Sequence, residues 1–412
     1  MPVVEAHDRI EPARIEAPAG ELLDLVAEVS GRGSALGSRL HPRTADNLAD
    51  LVRVMNTYYS NLIEGHHTRP REIERALKGI AENDERRDLL EAVAHVRLQT
   101  RIDADAAADM LPDPADLAFI RWLHREFYDG ATLSMRTIKS PKRSFVMVPG
   151  EWRSLPEHDV EVGSHLPPSS GQVADFMAYF HRRFAFEPGP GDRLLAVGPG
   201  KAARILAMAT AHHRFNYIHP FPDGNGRVSR LMSHAMAQKA GIGARGLWSV
   251  SRGLARGLDA GPEGREEYKR YMALADAPRQ GERDGRGNLS LNALEVFATW
   301  FLKVCLDQID FMAGLFDLDT LARRLERLVA RSETLSPESL NLLLEALIRG
   351  EFERGEVVRI TGMPERSARR VLKELTGQGL LASSTEKGPV SLRFPSDTLE
   401  VLFPKLYPEA SI

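Results

Sequence analysis

The chain has 412 residues, 43% apolar and 27% charged, more than one ordinary core accommodates, so two or three folding units are expected. With 54 basic against 57 acidic residues the net charge is −3, which excludes a general attraction to nucleic acid and leaves any DNA contact to a local patch. No stretch reaches the ~20 apolar residues of a membrane span. The N-terminus lacks the apolar run of a signal peptide, and a lone Cys305 excludes an internal disulfide, so a cytoplasmic location and a buried thiol are expected.

Taken in order, Leu48, Leu51, Val52, Met55, Tyr59 and Leu62 recur at helical spacing and predict an amphipathic helix over 45–63. Helical runs over 71–81 and 86–99 lead to Leu111-Pro112-Asp113-Pro114, which closes an N-terminal helical region, 1–112. Helix resumes over 115–128. Between Thr132 and Pro168, the run Val146, Met147, Val148, the turn-like Pro149-Gly150, and Val160 with Val162 predict a short hairpin or irregular loop. Further helices are predicted over 172–184, 201–217, 227–239 and 265–276. After the polar, glycine-rich 279–288, one or two long helices over 291–330 form a connector, 288–331. A last unit, 335–400, opens at Ser336-Pro337 and reads as three helices, 338–348, 357–361 and 365–378, then short strands at 380–383 and 390–394. That order is a winged helix-turn-helix pattern on a mainly α chain.

The segment richest in chemistry runs from His219 to Arg230, HPFPDGNGRVSR. Its prolines keep it extended, and Gly224-Asn225-Gly226 permits a backbone nest where a helix opens. Val228, Leu231, Met232, Ala235 and Met236 give that helix one buried stripe. The helix's leading N–H groups and positive dipole end favour a phosphate. Arg227 and Arg230, neighbours on the first turn, repel that dipole end, a cost that makes sense if an anion lies there. Asp223 can hold Mg²⁺ on the phosphates, and His219 is the nearby group able to take a proton near neutral pH.

These residues match at every defined position the signature of Fic-domain proteins, His-x-Phe-x-(Asp/Glu)-Gly-Asn-Gly-Arg-x-x-Arg, and over 115–277 the chain resembles that family. The resemblance implies a Fic-type helical core with a β-hairpin flap, here Pro149-Gly150-Glu151-Trp152-Arg153 and 160–168. It implies AMP transfer from ATP, with Mg²⁺, to a hydroxyl of a target protein, self-modification and a homodimer included among the expectations. By motif position His219 deprotonates the acceptor, Asp223 binds the metal, and Gly224, Asn225 and Gly226 cradle the inner phosphates. Arg227 and Arg230 hold the outer ones, and Phe221 anchors the core. Tyr271 resembles a family tyrosine near the adenine, although Arg270 replaces its usual tandem partner. A phosphorylating branch of the family carries Lys where this chain has Gly226, which favours nucleotidyl transfer.

Ser60 and Glu64 stand one turn apart at the end of the first long helix, with Gly65 as the expected stop. A carboxylate there faces the negative dipole end unless a cation answers it. The segment is similar to the Fic inhibitory motif, (Ser/Thr)-x-x-x-Glu-(Gly/Asn). That similarity implies pairing of Glu64 with Arg230, Ser60 orienting the carboxylate, and a second use of Glu64 in removing AMP from modified protein. In the last unit, Arg366, Arg369, Arg370 and Lys373 make one helix basic, as for DNA reading, while Glu351, Glu353, Glu356 and Glu374 weaken the field. The alternative is a docking module, and the rival overall reading is a transcription regulator with the Fic core as nucleotide sensor.

Overall fold

A computed structural model describes residues 5–79, 86–140, 143–163, 165–258 and 264–407. The N-terminal part holds α1 (Gly20–Ala35), α2 (Pro42–Ile63), α3 (Pro70–Leu77) and α4 (Arg87–Ala107). The α4 helix runs two turns past the predicted 99, carried by good helix formers at Ala104, Ala106 and Ala107 and by the buried Ile102 and Asp103. The end of the run predicted over 71–81 lies outside the described residues.

The middle comprises α5 (Leu117–Phe127), α6 (Leu133–Arg136), the antiparallel pair β1 (Thr137–Ser140) and β2 (Arg143–Val146), α7 (Val173–Phe184), α8 (Lys201–Ile218), α9 (Asn225–Lys239), α10 (Val250–Arg256) and α11 (Gly264–Leu274). Short polar side chains set several starts: Asp116 accepts from the amides of Ala118 and Phe119, and Ser249 from that of Ser251. The α8 helix is the central post, packed by α1, α7, α9 and α12 (Leu291–Leu315). Cys305, within α12, is buried as expected.

The hairpin corrects the predicted flap. It pairs Thr137 with Val146 and Ser140 with Arg143, so it precedes the Pro149 to Arg153 segment. Val146-Met147-Val148 misled the reading because Met147 is buried core rather than strand, its amide bonded to the Arg136 carbonyl at 2.8 Å. Pro149-Gly150 is indeed a turn, with Gly150 at φ +83° and Glu151 N bonded to Val148 O. Arg153 is fully buried. Of 160–168, only a bridge between Val162 and His165 is strand-like, and residue 164 lies outside the described residues.

The long run over 291–330 is two helices, α12 and α13 (Leu318–Arg331), separated where Asp317 caps the second. The last part holds α14 (Ser339–Arg349), β3 (Glu351–Phe352), α15 (Val357–Thr361), α16 (Glu365–Gly377), β4 (Leu381–Ala382), β5 (Val390–Leu392) and α17 (Leu399–Leu402). The α14 helix starts after, not at, Pro337, which lies in the turn closed by Ser339 N on Ser336 O. Strand β5 is central, antiparallel to β3 and β4. Among the described residues no helix is long and apolar enough to cross a membrane.

The α2 helix is not amphipathic in the predicted sense, because it is enclosed nearly all round. Several of its polar residues are buried and bonded instead. Arg53 reaches Asp103 at 2.9 Å, Asn56 donates to Gln99 at 2.6 Å, and Thr57 meets His95 at 3.0 Å. Burial pushes the His95 imidazole down to about 3, so it sits there neutral.

Candidate active site

The loop between α8 and α9 is built as its sequence suggests. His219 closes α8 in the left-handed conformation, φ 51°, and Gly224 opens α9 at φ +80°, where a side chain would strike the Tyr128 hydroxyl. The first α9 hydrogen bond runs from Val228 N to Gly224 O, so the amides of Asn225, Gly226 and Arg227 precede the ladder and face out of the helix N-terminus. The Asn225 side chain does not join them. Its amide closes a two-way link with Phe221, N to Oδ1 at 2.9 Å and Nδ2 to O at 2.7 Å. Asn225 therefore fixes the loop, and only its backbone is free for an anion.

Phe221 is fully buried, stacked on His124 with ring centroids 3.8 Å apart. His124 accepts from Gly150 N and touches Asp223 O, so the turn at 148–151 braces the loop from beneath. Arg153 adds a second brace, donating to the carbonyls of His219 (2.6 Å), Ile218 (3.0 Å) and Pro168 (2.6 Å). Burial, with the Arg153 charge, pushes His219 down to about 4, so its imidazole is neutral at pH 7 and able to accept a proton.

Opposite the loop, α2 ends in a Schellman motif. Gly65, at φ +85°, gives its amide to Leu62 O, and His66 N bonds Asn61 O. This stop aims Glu64 across at α9, where its Oε1 lies 2.6 Å from Arg230 Nη2. Arg230 is almost wholly buried, while the Glu64 side chain keeps 29% exposure. Burial alone would raise the Glu64 carboxyl, but Arg230 and then Arg227 hold it below the ordinary carboxylate range. Ser60 corrects its expected part: its hydroxyl accepts from Arg230 Nε at 3.0 Å, so it seats the guanidinium itself. Gly226 lies directly beneath, and a Cβ there would come within 2.5 Å of Glu64 Oε1.

The other two charged loop residues are also engaged, by α4. The Arg227 guanidinium bonds Glu91, lies 3.7 Å from Asp223 Oδ1 and covers the Phe127 ring at 5.0 Å. Asp223 meets Arg87 Nη2 at 2.6 Å, and Arg87 also bonds Glu91 at 2.8 Å. Burial would raise the Asp223 carboxyl, but Arg227 and Arg87 keep it low and ionised. One carboxylate is a donor set suited to Mg²⁺ carried mainly by substrate oxygens. Among the described residues no cluster of three or more His, Cys, Asp or Glu could hold a metal without such help.

Eleven predicted residues were in question, and Tyr271 is the one the structure does not bring to the loop. Its ring stacks on Trp300 of α12 at 4.6 Å, 10° from parallel. Tyr268, one turn earlier, is linked to α9 through His212, whose ring nitrogens lie 2.8 Å from the Tyr268 hydroxyl and 2.9 Å from that of Ser233. Arg87, Glu91, His124 and Arg153 are the members that sequence reasoning missed. Arg87 and Glu91 are visibly an i, i+4 pair, but nothing in the pattern links them to a loop 136 positions later.

Residues 114–237 match the Fic/DOC family. Over 92 residues the chain is 37% identical to the protein adenylyltransferase Fic of Drosophila erecta, and over 98 residues 33% identical to that of Aedes aegypti. Each match covers 22% of this chain and only 16% of the relative's length. A solved Fic family protein from Desulfovibrio desulfuricans G20 aligns over 92% of this chain and 97% of its own, with TM-score 0.50 and 15% identity, a likeness of fold alone. Within this mainly helical chain, residues 114–237 thus form the part that matches the Fic/DOC family, and the α8 to α9 loop lies inside it.

Proposed function

We propose that this protein transfers AMP from ATP to a hydroxyl of a protein substrate and that Glu64 restrains the transfer. The observation that carries this reading is the Glu64 carboxylate on Arg230 at 2.6 Å, an anion already seated beside the amides that open α9. A phosphate chain has the same needs, charge neutralisation by arginine and hydrogen bonds from a helix N-terminus. In the active pose the amides of Gly224 to Arg227 hold the inner phosphates. Arg230, freed of Glu64, holds the γ-phosphate, and Asp223 and the phosphates hold Mg²⁺, which supplies charge neutralisation when bound.

His219 takes the proton of the acceptor hydroxyl as its oxygen bonds the α-phosphorus. The bond from that phosphorus to the β-phosphate oxygen breaks, and pyrophosphate leaves. Arg153 keeps the imidazole at the loop's edge by holding the His219 carbonyl. With Glu64 on Arg230, ATP lacks its γ-phosphate anchor and the in-line geometry is lost. The family likeness and the adenylyltransferase names of the relatives support the reaction class.

Residues 335–400 support the reading of a winged helix-turn-helix, in the order α14, β3, α15, α16, β4, β5 with a small antiparallel sheet. The α16 arginines are partly answered from within the helix, Arg369 by Glu365 at 2.6 Å and Arg370 by Glu374 at 3.6 Å, which favours docking over DNA reading.

The deciding experiment is intact-mass analysis of Glu64→Gly incubated with Mg²⁺ and ATP alone. A gain of AMP on the protein supports the reaction; a gain of phosphate, or no modification of it or of added protein substrates, overturns it.

A further inference from the structure

The element that carries Glu64 is gripped from two sides of unlike chemistry. Toward α4 and α9, α2 presents the polar ladder Arg53, Asn56, Thr57, Ser60 and Glu64, whose groups exchange hydrogen bonds that water can replace. The turn bearing Ser60 has a different backing. Tyr59 is fully buried, and its hydroxyl donates to the carbonyl of Leu406 at 3.0 Å. Tyr407 packs edge-on to Tyr58 at 5.4 Å and parallel to Tyr59 at 6.5 Å. Leu406 and Tyr407 are buried as deeply as the core.

The segment making this grip is itself pinned. Arg252 of α10 donates to the carbonyls of Lys405 (2.9 Å) and Leu406 (3.4 Å) and lies over Phe311 at 3.6 Å. Lys405 is held at φ +65°, a conformation costly for a lysine, which a free turn would relax. At its other end α2 is tied to the same C-terminal unit: Thr44 donates to Leu347 O, and Arg43 meets Glu351 and Ser384.

We infer that residues 403–407 are positioning residues for the brake: by backing the Tyr58-Tyr59 turn they hold Ser60 and Glu64 against Arg230. Loosening them leaves the catalytic loop intact and weakens only the carboxylate's hold. The inference rests on the restraining role of Glu64, so it is tested with Glu64→Gly beside it.

Three variants, Tyr407→Ala, Tyr407→Phe and Leu406→Ala with Tyr407→Ala, are assayed for AMP transfer in the wild-type and Glu64→Gly backgrounds. Hydrogen exchange is followed over 58–64 and over α9. The Tyr407 hydroxyl is buried without a partner among the described residues, so Tyr407→Phe keeps the grip and should behave as wild type. The alanine variants should raise transfer roughly five- to tenfold in the wild-type background and not at all with Glu64→Gly. Exchange over 58–64 should quicken while α9 stays protected. Wild-type exchange and transfer in both alanine variants, with Glu64→Gly active, overturns the inference alone. A general loss of protection that includes α9 also overturns it, marking the segment as plain core. An inert Glu64→Gly overturns the restraint itself and the inference with it.

Discussion

Arg230 and Glu64, 166 positions apart, meet at 2.6 Å with the arginine buried and the carboxylate at the site's mouth. Replacing Glu64 by Gly should raise AMP transfer at least tenfold. It should also lower the unfolding free energy by about 1.5–3 kcal/mol, the range for a hydrogen bond to a charged group. Excess ATP should restore much of that loss by supplying another anion. Ser60→Ala should act in the same direction and more weakly, since it removes a bond to Arg230 and leaves the ion pair. Calorimetric unfolding with and without ATP checks both, and identical stability of wild type and Glu64→Gly would count against the pair.

The pair has a pH signature. Because the folded state holds the Glu64 carboxyl below its ordinary value of 4.5, its contribution is complete well above 4.5 and is lost as pH falls through the folded value. The stability difference between wild type and Glu64→Gly should therefore be flat near neutrality and shrink only below about pH 4.5. A difference already fading between pH 7 and 6 would implicate a histidine instead.

In the Glu64→Gly background, His219→Ala should abolish transfer, a loss of about 10²–10⁴-fold or more, while ATP still binds through the α9 amides and the freed Arg230. In the free enzyme the imidazole is pushed down to about 4, so the acid limb of kcat/KM should lie near pH 4 to 5 rather than at the ordinary 6.5. The same shift acts on stability with the opposite partner: the unfolded state takes up the His219 proton first, so acidification from 6.5 toward 4 destabilises the fold. A limb at 6.5 would show that His219 is not held neutral by its surroundings.

How much of this was legible depends on how far a relationship runs along the chain. The loop from His219 to Arg230 could be read because all its parts lie within one helix-to-helix connection and the first turns after it, and prolines and glycines announce the backbone. Glu64 could be placed because Gly65 fixes where its helix stops. The buried polar face of α2 was hidden, since Asn56, Thr57 and Ser60 read as solvent-facing until α4 and α9 cover them. A hairpin within 132–168 was legible, but the flap was read on 149–153 and 160–168 because Pro149-Gly150 announces a turn, whereas the paired strands are Thr137–Ser140 and Arg143–Val146. The stacking of Tyr271 on Trp300 of the following helix was not legible either, since spacing alone does not say which face of α11 meets α12.

Arg87 occupies Asp223 where a cation would sit, and it is the predicted origin of a raised Mg²⁺ requirement. In a Glu64→Gly background, Arg87→Gln should lower the Mg²⁺ concentration for half-maximal transfer by about two- to fivefold, since a partly exposed pair contributes up to about 1 kcal/mol. Mn²⁺ binding in the presence of a non-reacting ATP analogue, followed by electron paramagnetic resonance, should tighten in parallel. Asp223→Asn should abolish that binding, and an unchanged titration in Arg87→Gln would leave Arg87 a structural partner only.

For the C-terminal unit, Arg369→Glu with Arg370→Glu should leave AMP transfer unchanged. If neither the wild type nor this variant shifts duplex DNA at low salt, where phosphate contacts are strongest, the docking reading stands. A wild-type shift abolished in the variant would restore DNA reading by α16.

Synthesis from the N-terminus delivers the parts of this protein in an order that its architecture makes consequential. The helix ending at Glu64 leaves the ribosome before the loop and α9, and the backing at Leu406 and Tyr407 follows more than three hundred residues after Glu64. A growing chain thus holds the α8 to α9 segment before α12, which packs α8, and well before the residues that back Tyr58 and Tyr59. Until those residues emerge, the Tyr58-Tyr59 turn lacks its C-terminal backing. If Glu64 restrains AMP transfer as proposed, ribosome stalling or a premature stop in the last unit would release molecules whose restraint is unsupported, and quality control of the nascent chain would bear on the level of unregulated transfer.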